Sequence, residues 1–253
     1  MNWSRVKSIM IFFLIGINVF LLIVFGLITY RENYIPDSVI GAAASVLASE
    51  GFPCDSDLIP NMYKSAAVLN TDFYTASELS NAFFGRQLPF RTEGYSLIAE
   101  SDSDGEKLTV SGSSFAFESD RTEKSASPRK IRRALEKAGI NMRGAVYDSR
   151  HKQFVLYYKG IILDKMYIKA GIDSDGRLCR ADAAWVQISP SSVKKRVSFM
   201  ETVTALPQKI EKKGTVRKIE LAYALDSFHS DKYVFRPSWI VTVGEKKTTI
   251  TCE

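Results

Sequence analysis

His151 and His229 are the only imidazoles in the chain. Either would become a catalytic base only beside a nucleophile and an orienting carboxylate. The sequence has no Gly-x-Ser-x-Gly elbow, no phosphate-cradling glycine loop and no His-Glu-x-x-His helix. Both histidines are therefore expected at the surface, His229 in the loop Ser227–Asp231. Ser191-x-x-Lys194 and Ser192-x-x-Lys195 match the start of a penicillin-binding signature, but Ser-Asp-Asn and Lys-Thr-Gly are missing, and Lys213-Gly214-Thr215 has the wrong order. Glu100-x-Asp102-x-Asp104-Gly105 and Asp173-x-Asp175-Gly176 imitate calcium loops. A helix-flanked calcium loop needs a bidentate glutamate at its twelfth position. The first stretch has Ser111 there; the second has Asp182 there, but opens on Gly171. Both lie between strand patterns and are expected to be hairpin turns. Cys54, Cys179 and Cys252 have no metal-ligand spacing, so no structural zinc is expected, although one bridge among them is allowed. No catalytic residue, metal ligand or cofactor site is assigned, and the chain is expected not to be an enzyme.

Asn18 is the remaining polar group of interest, because it interrupts Ile9–Ile28, a run of 20 residues without a charge. A helix of that length spans roughly 30 Å, the thickness of bilayer hydrocarbon. The next residues, Thr29-Tyr30-Arg31-Glu32, make a poor cleavage site, and no cysteine comes soon after, so an uncleaved anchor over residues 8–29 is expected. Arg5 and Lys7 precede the run, whereas Arg31 after it stands beside Glu32. That bias places the tail, residues 1–7, in the cytoplasm and the rest of the chain outside. An amide at mid-bilayer gains about 1 kcal/mol from a bond to another helix, and Gly16 and Gly26 would allow close approach. Both a helix contact and an inert, tolerated amide remain open.

The elements beyond the anchor alternate in style. Pro36 opens a helix whose inner face is expected to be Val39, Ala43, Val46 and Leu47, with Gly51 as the stop. Tyr63–Leu69 reads as a strand. Thr75 and Glu78 form a capping-box pattern ahead of Leu79, Ala82 and Phe83. Tyr95–Ala99 and Lys107–Val110 read as a hairpin joined through Asp104-Gly105. Ser127-Pro128 opens a helix with Ile131, Ala134, Leu135 and Ala138 on one side. Strands come next at Phe154–Tyr158, Ile161–Ala170 and Arg177–Ile188. A second capping box, Ser198 with Glu201, precedes the stripe Phe199, Val203, Leu206 and Ile210, which Pro207 should kink or shorten. Lys218–Leu225, Tyr233–Val243 and Lys247–Thr251 close the chain as strands. Helices followed by antiparallel strands give an α+β class, with helices on one face of the sheet.

Charge divides the outer part. Residues 30–125 carry −8 and residues 126–253 carry +12, within a total of +6. The change falls in the polar stretch Glu118–Pro128, expected as a linker or long loop between an acidic and a basic subdomain. A basic half is a dipolar packing surface or a face for anionic wall polymer or lipid headgroups.

Three words of the sequence resemble one family. Met1-Asn2-Trp3-Ser4-Arg5-Val6-Lys7, leading straight into the apolar run, resembles the start of the YycI proteins. Tyr157-Tyr158-Lys159-Gly160 through Asp175-Gly176 is similar to that family's hairpin segment, and Arg236-Pro237-Ser238-Trp239-Ile240-Val241 to its closing strand. Ile240 stands where the family has a basic residue, and the chain lacks the family's usual ending. The resemblance implies a membrane-anchored, non-enzymatic α+β protein of Gram-positive bacteria. Such a protein, with a YycH-like partner, associates with the WalK sensor histidine kinase and adjusts WalK–WalR signalling in cell-wall metabolism. It implies contact through the membrane helix and the outer domain, with Trp3, Arg5, Lys7, Arg236 and Trp239 as carried-over contact residues beside Gly16 and Asn18. From its own pattern, Trp239 is expected in the core.

Overall fold

The structure, a computed structural model, describes residues 3–101, 105–210, 212–229 and 232–251; for 3–6, 190–194 and 228–229 it describes the backbone alone. Asp102, Asp104, Ser230, Asp231 and Cys252, which figure in the expectations above, lie outside the described residues, as do the side chains of Trp3, Arg5, Ser191, Ser192, Lys194 and His229. The chain folds as α+β and divides into two compact units.

The first unit comprises residues 1–65, 196–219 and 242–246. Helix α1 (Trp3–Asn33) carries the apolar run without interruption, because the run has no proline and ends only where polar residues return. Helix α2 (Asp37–Ser49) comes next, with Pro36 as its N-cap. Its buried face is Ile40, Ala43 and Leu47, while Val39 and Val46 are 43% and 46% exposed. The expected inner face was therefore turned by about one residue: Ala43 and Leu47 fit both faces, and Ile40 decides between them by filling the core. The expected second capping box does not form. Ser198 Oγ accepts from Met200 N, and the stripe breaks into two single turns, α5 (Met200–Val203) and α6 (Leu206–Lys209). Pro207 starts the second turn rather than continuing the first. Phe199, Val203, Leu206 and Ile210 nevertheless bury together with Leu47 and Phe52 as apolar core.

The second unit comprises residues 66–195, 220–241 and 247–253. Helix α3 (Ala76–Phe84) has the expected capping box, with Thr75 and Glu78 exchanging bonds, and stops at Gly85 in the left-handed region. Helix α4 (Pro128–Lys137) buries Leu135. The strands are β1 (Lys64–Asp72), β2 (Arg91–Glu93), β3 (Ser96–Ser101), β4 (Glu106–Ser111), β5 (Ser114–Glu118), β6 (Ala145–Asp148), β7 (Gln153–Tyr158), β8 (Ile161–Ile172), β9 (Leu178–Ala184), β10 (Gln187–Val197), β11 (Val216–His229), β12 (Lys232–Val243) and β13 (Lys246–Thr251). They hydrogen-bond in the order β10-β1-β12-β11-β8-β9-β5-β4-β3-β2, with β6 on β7, β7 on β8 and β13 on β12. β8 and β11 run parallel, whereas β1–β12, β8–β9, β9–β5, the run from β5 to β2, and β6–β7–β8 are antiparallel.

Both helices cover one sheet face. Phe83 of α3 stacks on Phe117 of β5 at 4.7 Å, and residues of α3 and α4 line one cleft with Glu106. The other face shows Glu100, Lys107, Glu118 and Arg180, each opposite the next on neighbouring strands, so unlike charges alternate across it. The β7–β8 turn is Lys159-Gly160, with both φ angles positive, as a two-residue type I′ hairpin requires. Gly144 is fixed by approach as well as by φ: a Cβ there would run into the Tyr157 carbonyl oxygen, while Tyr157 N donates to Gly144 O.

The border expected at residue 125 falls inside this second unit. β5, before it, pairs with β9, after it, over Ser114↔Ala184 to Glu118↔Arg180. The stretch after Glu118 is a loop held along the sheet. Ser119 N donates to Cys179 O and Lys124 N to Ile172 O, and Arg121 forms an ion pair with Glu106. The strand expected over Arg177–Ile188 is two strands, parted at Trp185, whose N–H donates to Ser113 O.

Candidate functional site

The candidate site built by the N-terminal element is the surface of α1. Its stretch Lys7–Asn33 is long and apolar enough to cross a bilayer, and none of its apolar window is covered by the other described residues. Asn18 Nδ2 donates to Leu14 O at 2.8 Å, so the amide already uses one of its hydrogen-bonding positions within its own helix. A Cβ at Gly16 or Gly26 would meet nothing within 4 Å. At about 100° per residue, Gly16 lies about 160° around the helix from Asn18, and Gly26 about 80°. One partner helix cannot meet all three at closest approach. Lys7 is exposed at the start of the span.

At its far end α1 is stitched to the unit it belongs to. Tyr63 N donates to Asn33 O at 2.9 Å, Ile35 N donates to Asn61 O at 2.8 Å, and Tyr34 bridges Met62. Asn33 Nδ2 donates to Thr29 O, capping the last turn. Tyr30 and Tyr34 stack at 5.6 Å, and Tyr34 Oη donates to Asp37 Oδ1. The Arg196 guanidinium lies over the Tyr63 ring at 4.1 Å. The only sequence signal for Tyr63 was its place at the start of a strand, and for Arg196 there was none.

Arg236 and Trp239, carried over by resemblance, part company. Arg236 is half-exposed on β12, and its Nε donates to Asp226 Oδ2 of β11 at 2.9 Å. Trp239 is 1% exposed and sits beside fully buried Ser238 and Val241. Its ring lies in the core, as its own strand pattern predicts. Pro237 has no N–H to give and stands just past Phe235, where the β1 pairing ends.

A cleft of about 700 Å³ lies between the C-terminal ends of α3 and α4 and the β8–β9 turn. Its floor is the Glu106–Arg121 pair, and Arg121 Nη1 also donates to Leu178 O. Asp173 Oδ1 accepts from the N–H groups of Asp175 and Arg177, and these bonds hold its carboxyl below the usual range. The stretch that imitates a calcium loop is thus a hairpin turn, as expected, and Asp182 lies on β9 facing Tyr167. Glu100, from the other such stretch, pairs with Arg91 and Lys107. His151 Nδ1 meets Asp148 Oδ2 at 2.5 Å on the exposed β6–β7 turn. Among the described residues no group of three or more His, Cys, Asp or Glu could hold a metal ion. Cys54 and Cys179 are free thiols, and burial pushes both up from the ordinary thiol range.

No family model matches the chain, and no curated protein matches it either. Solved structures similar to it include an uncharacterized protein from Eubacterium rectale, at 10% identity and a TM-score of 0.44, over 79% of this chain and 86% of that one. YycH from Bacillus subtilis is similar at 14% identity and a TM-score of 0.41, over 75% of this chain. The chain spans about half of that structure, 54%. The C-terminal domain of YpeB from Bacillus megaterium is similar at 11% identity and a TM-score of 0.28, over 87% of this chain and all (100%) of that domain.

Proposed function

We propose that this protein is a membrane-anchored, non-enzymatic regulator that binds a sensor histidine kinase of the WalK kind, with a YycH-like partner, and adjusts two-component signalling in cell-wall metabolism. The observation that carries the proposal is the N-terminal element: a heptapeptide resembling the start of YycI proteins runs into a helix whose apolar window is covered by none of the described residues. The helix crosses the cell membrane with Arg5 and Lys7 in the cytoplasm and the residues after Asn33 outside. A regulator biases a kinase only by binding its two signalling states unequally. The uncovered helix supplies surface for that difference within the bilayer, and the outer units supply the rest.

The test is co-purification from membranes of the full-length chain with the kinase of the same organism. A version whose first 29 residues are replaced by an unrelated anchor is run alongside. Loss of the kinase only from the swapped version is the expected result. Retention by both would move the contact to the outer units. Retention by neither would remove the kinase from the proposal, and salt-sensitive retention on anionic wall polymer would then become the measurement to make. The whole chain is needed there, because β5 and β9 pair across residue 125.

A further inference from the structure

We infer that the end of α1 and the segments stitched to it form a collar that binds anionic phospholipid headgroups. The collar consists of Tyr30, Arg31, Tyr34, Tyr63 and Arg196. It rests on α1 being a membrane helix, but not on the kinase as partner.

Depth comes first. The apolar run stops at Ile28, and at 1.5 Å per residue Tyr30 lies about 3 Å beyond it and Asn33 about 8 Å beyond it. A headgroup layer is roughly 5–8 Å thick on each side of the hydrocarbon. Tyr30 to Asn33 therefore cross that layer. Tyr63, whose N–H is 2.9 Å from Asn33 O, is held at its outer edge by a hydrogen bond that the fold imposes.

Chemistry comes second. Amphipathic rings favour this depth, and cations near it attract anionic lipid. Tyr30 and Tyr34 present a stacked pair. Arg31 is exposed at the last turn of α1. Arg196 is exposed, and its planar guanidinium is held over the Tyr63 ring, which limits the freedom it must lose to grip a phosphate. Two acids stand in the same region. Asp37 is engaged by Tyr34 Oη, and Glu32 is exposed beside Arg31. Lys64, exposed next to Tyr63, adds a third cation against these two acids.

The full-length chain would first be reconstituted in vesicles and washed with alkaline carbonate. Release by the wash would remove α1 as a membrane helix, and the collar with it. Retained protein is then taken into detergent and titrated with phosphatidylglycerol or phosphatidylcholine, with bound lipids counted by native mass spectrometry. Tighter binding of phosphatidylglycerol is expected, with Arg196→Gln weakening it about fivefold, the worth of one cation at a membrane surface. Arg31→Gln, at an exposed position that the fold does not use, should weaken it similarly. Tyr63→Leu keeps both charges and should weaken it by less. Equal binding of the two lipids, or a phosphatidylglycerol preference unchanged by both arginine variants, would overturn the collar. In the second case the preference would belong to Arg5 and Lys7 at the other end of the helix. No kinase is present, so either failure leaves the proposed partner untouched.

Discussion

At the scale of single residues, side chains that hold backbone in place outnumber those that display chemistry. Asn141 is gripped from two sides: its N–H donates to Tyr74 Oη at 2.7 Å, and its carbonyl accepts from Trp185 Nε1 at 3.1 Å. Both rings are buried, so each polar tip is satisfied by the same residue's backbone. Asp173 does comparable work at the surface, and this makes its contribution depend on pH. Its carboxylate accepts two backbone bonds in the native turn, which depress its pKa relative to the unfolded chain. The stabilisation is fully present above the unfolded value of about 4 and is lost as pH falls through the native value. Asp173→Ala should therefore lower the melting temperature at pH 7, and the gap from the native chain should close as pH falls through the depressed native value. An equal gap at pH 7 and pH 2 in thermal unfolding would assign the loss to turn geometry rather than charge. Asp173-x-Asp175-Gly176 was legible as a turn because every partner is local. The Asn141 clamp was not, since Tyr74 and Trp185 reach it from distant parts of the chain.

At the scale of elements, α1 is the helix most completely specified by its own residues and least explained by the fold. Apart from the bond that Asn33 O accepts from Tyr63 N, it is held by bonds along its own turns, and none of the described residues packs on its apolar window. If a kinase helix contacts the Asn18 side, Asn18→Leu should weaken co-purification, while Gly16→Ile, about 160° away, should leave it unchanged. The reverse pattern would place the contact on the glycine side; unchanged association in both variants would remove α1 as the contact. Shorter elements were less legible. The stripe Phe199–Ile210 has helical spacing and buries as foreseen, yet it forms two single turns, because Pro207 cannot donate within a continuous helix. In α2, apolar and small residues line both sides, so periodicity did not tell Ile40 from Val39. β5 and β6 passed unnoticed because each is short, and its partners set its boundaries.

At the scale of the whole molecule, charge and structure divide the chain differently. Acidic and basic residues change over near residue 125, but the second compact unit runs through that point. Separately expressed 30–125 and 126–253 should therefore each fail to unfold cooperatively. In the second fragment β9 loses β5 along Arg180–Ala184, and Ala181 and Ala183 lose Phe117 and Phe115 opposite them. Two sharp, independent thermal transitions in calorimetry would show instead that the charge border is a domain border. The sequence by itself determined the long apolar N-terminal helix, the α+β class, the α3 capping box and the hairpin at Asp175-Gly176. Each depends on interactions within about a dozen residues, or on an apolar run long enough to need no partner. Tertiary structure alone decided that β5 lies on β9, that Tyr63 meets the end of α1, and that Arg196 lies over the Tyr63 ring. Those placements arise from contacts between segments far apart in the chain, where hydrophobic periodicity marks which side of an element is buried but not which neighbour buries it.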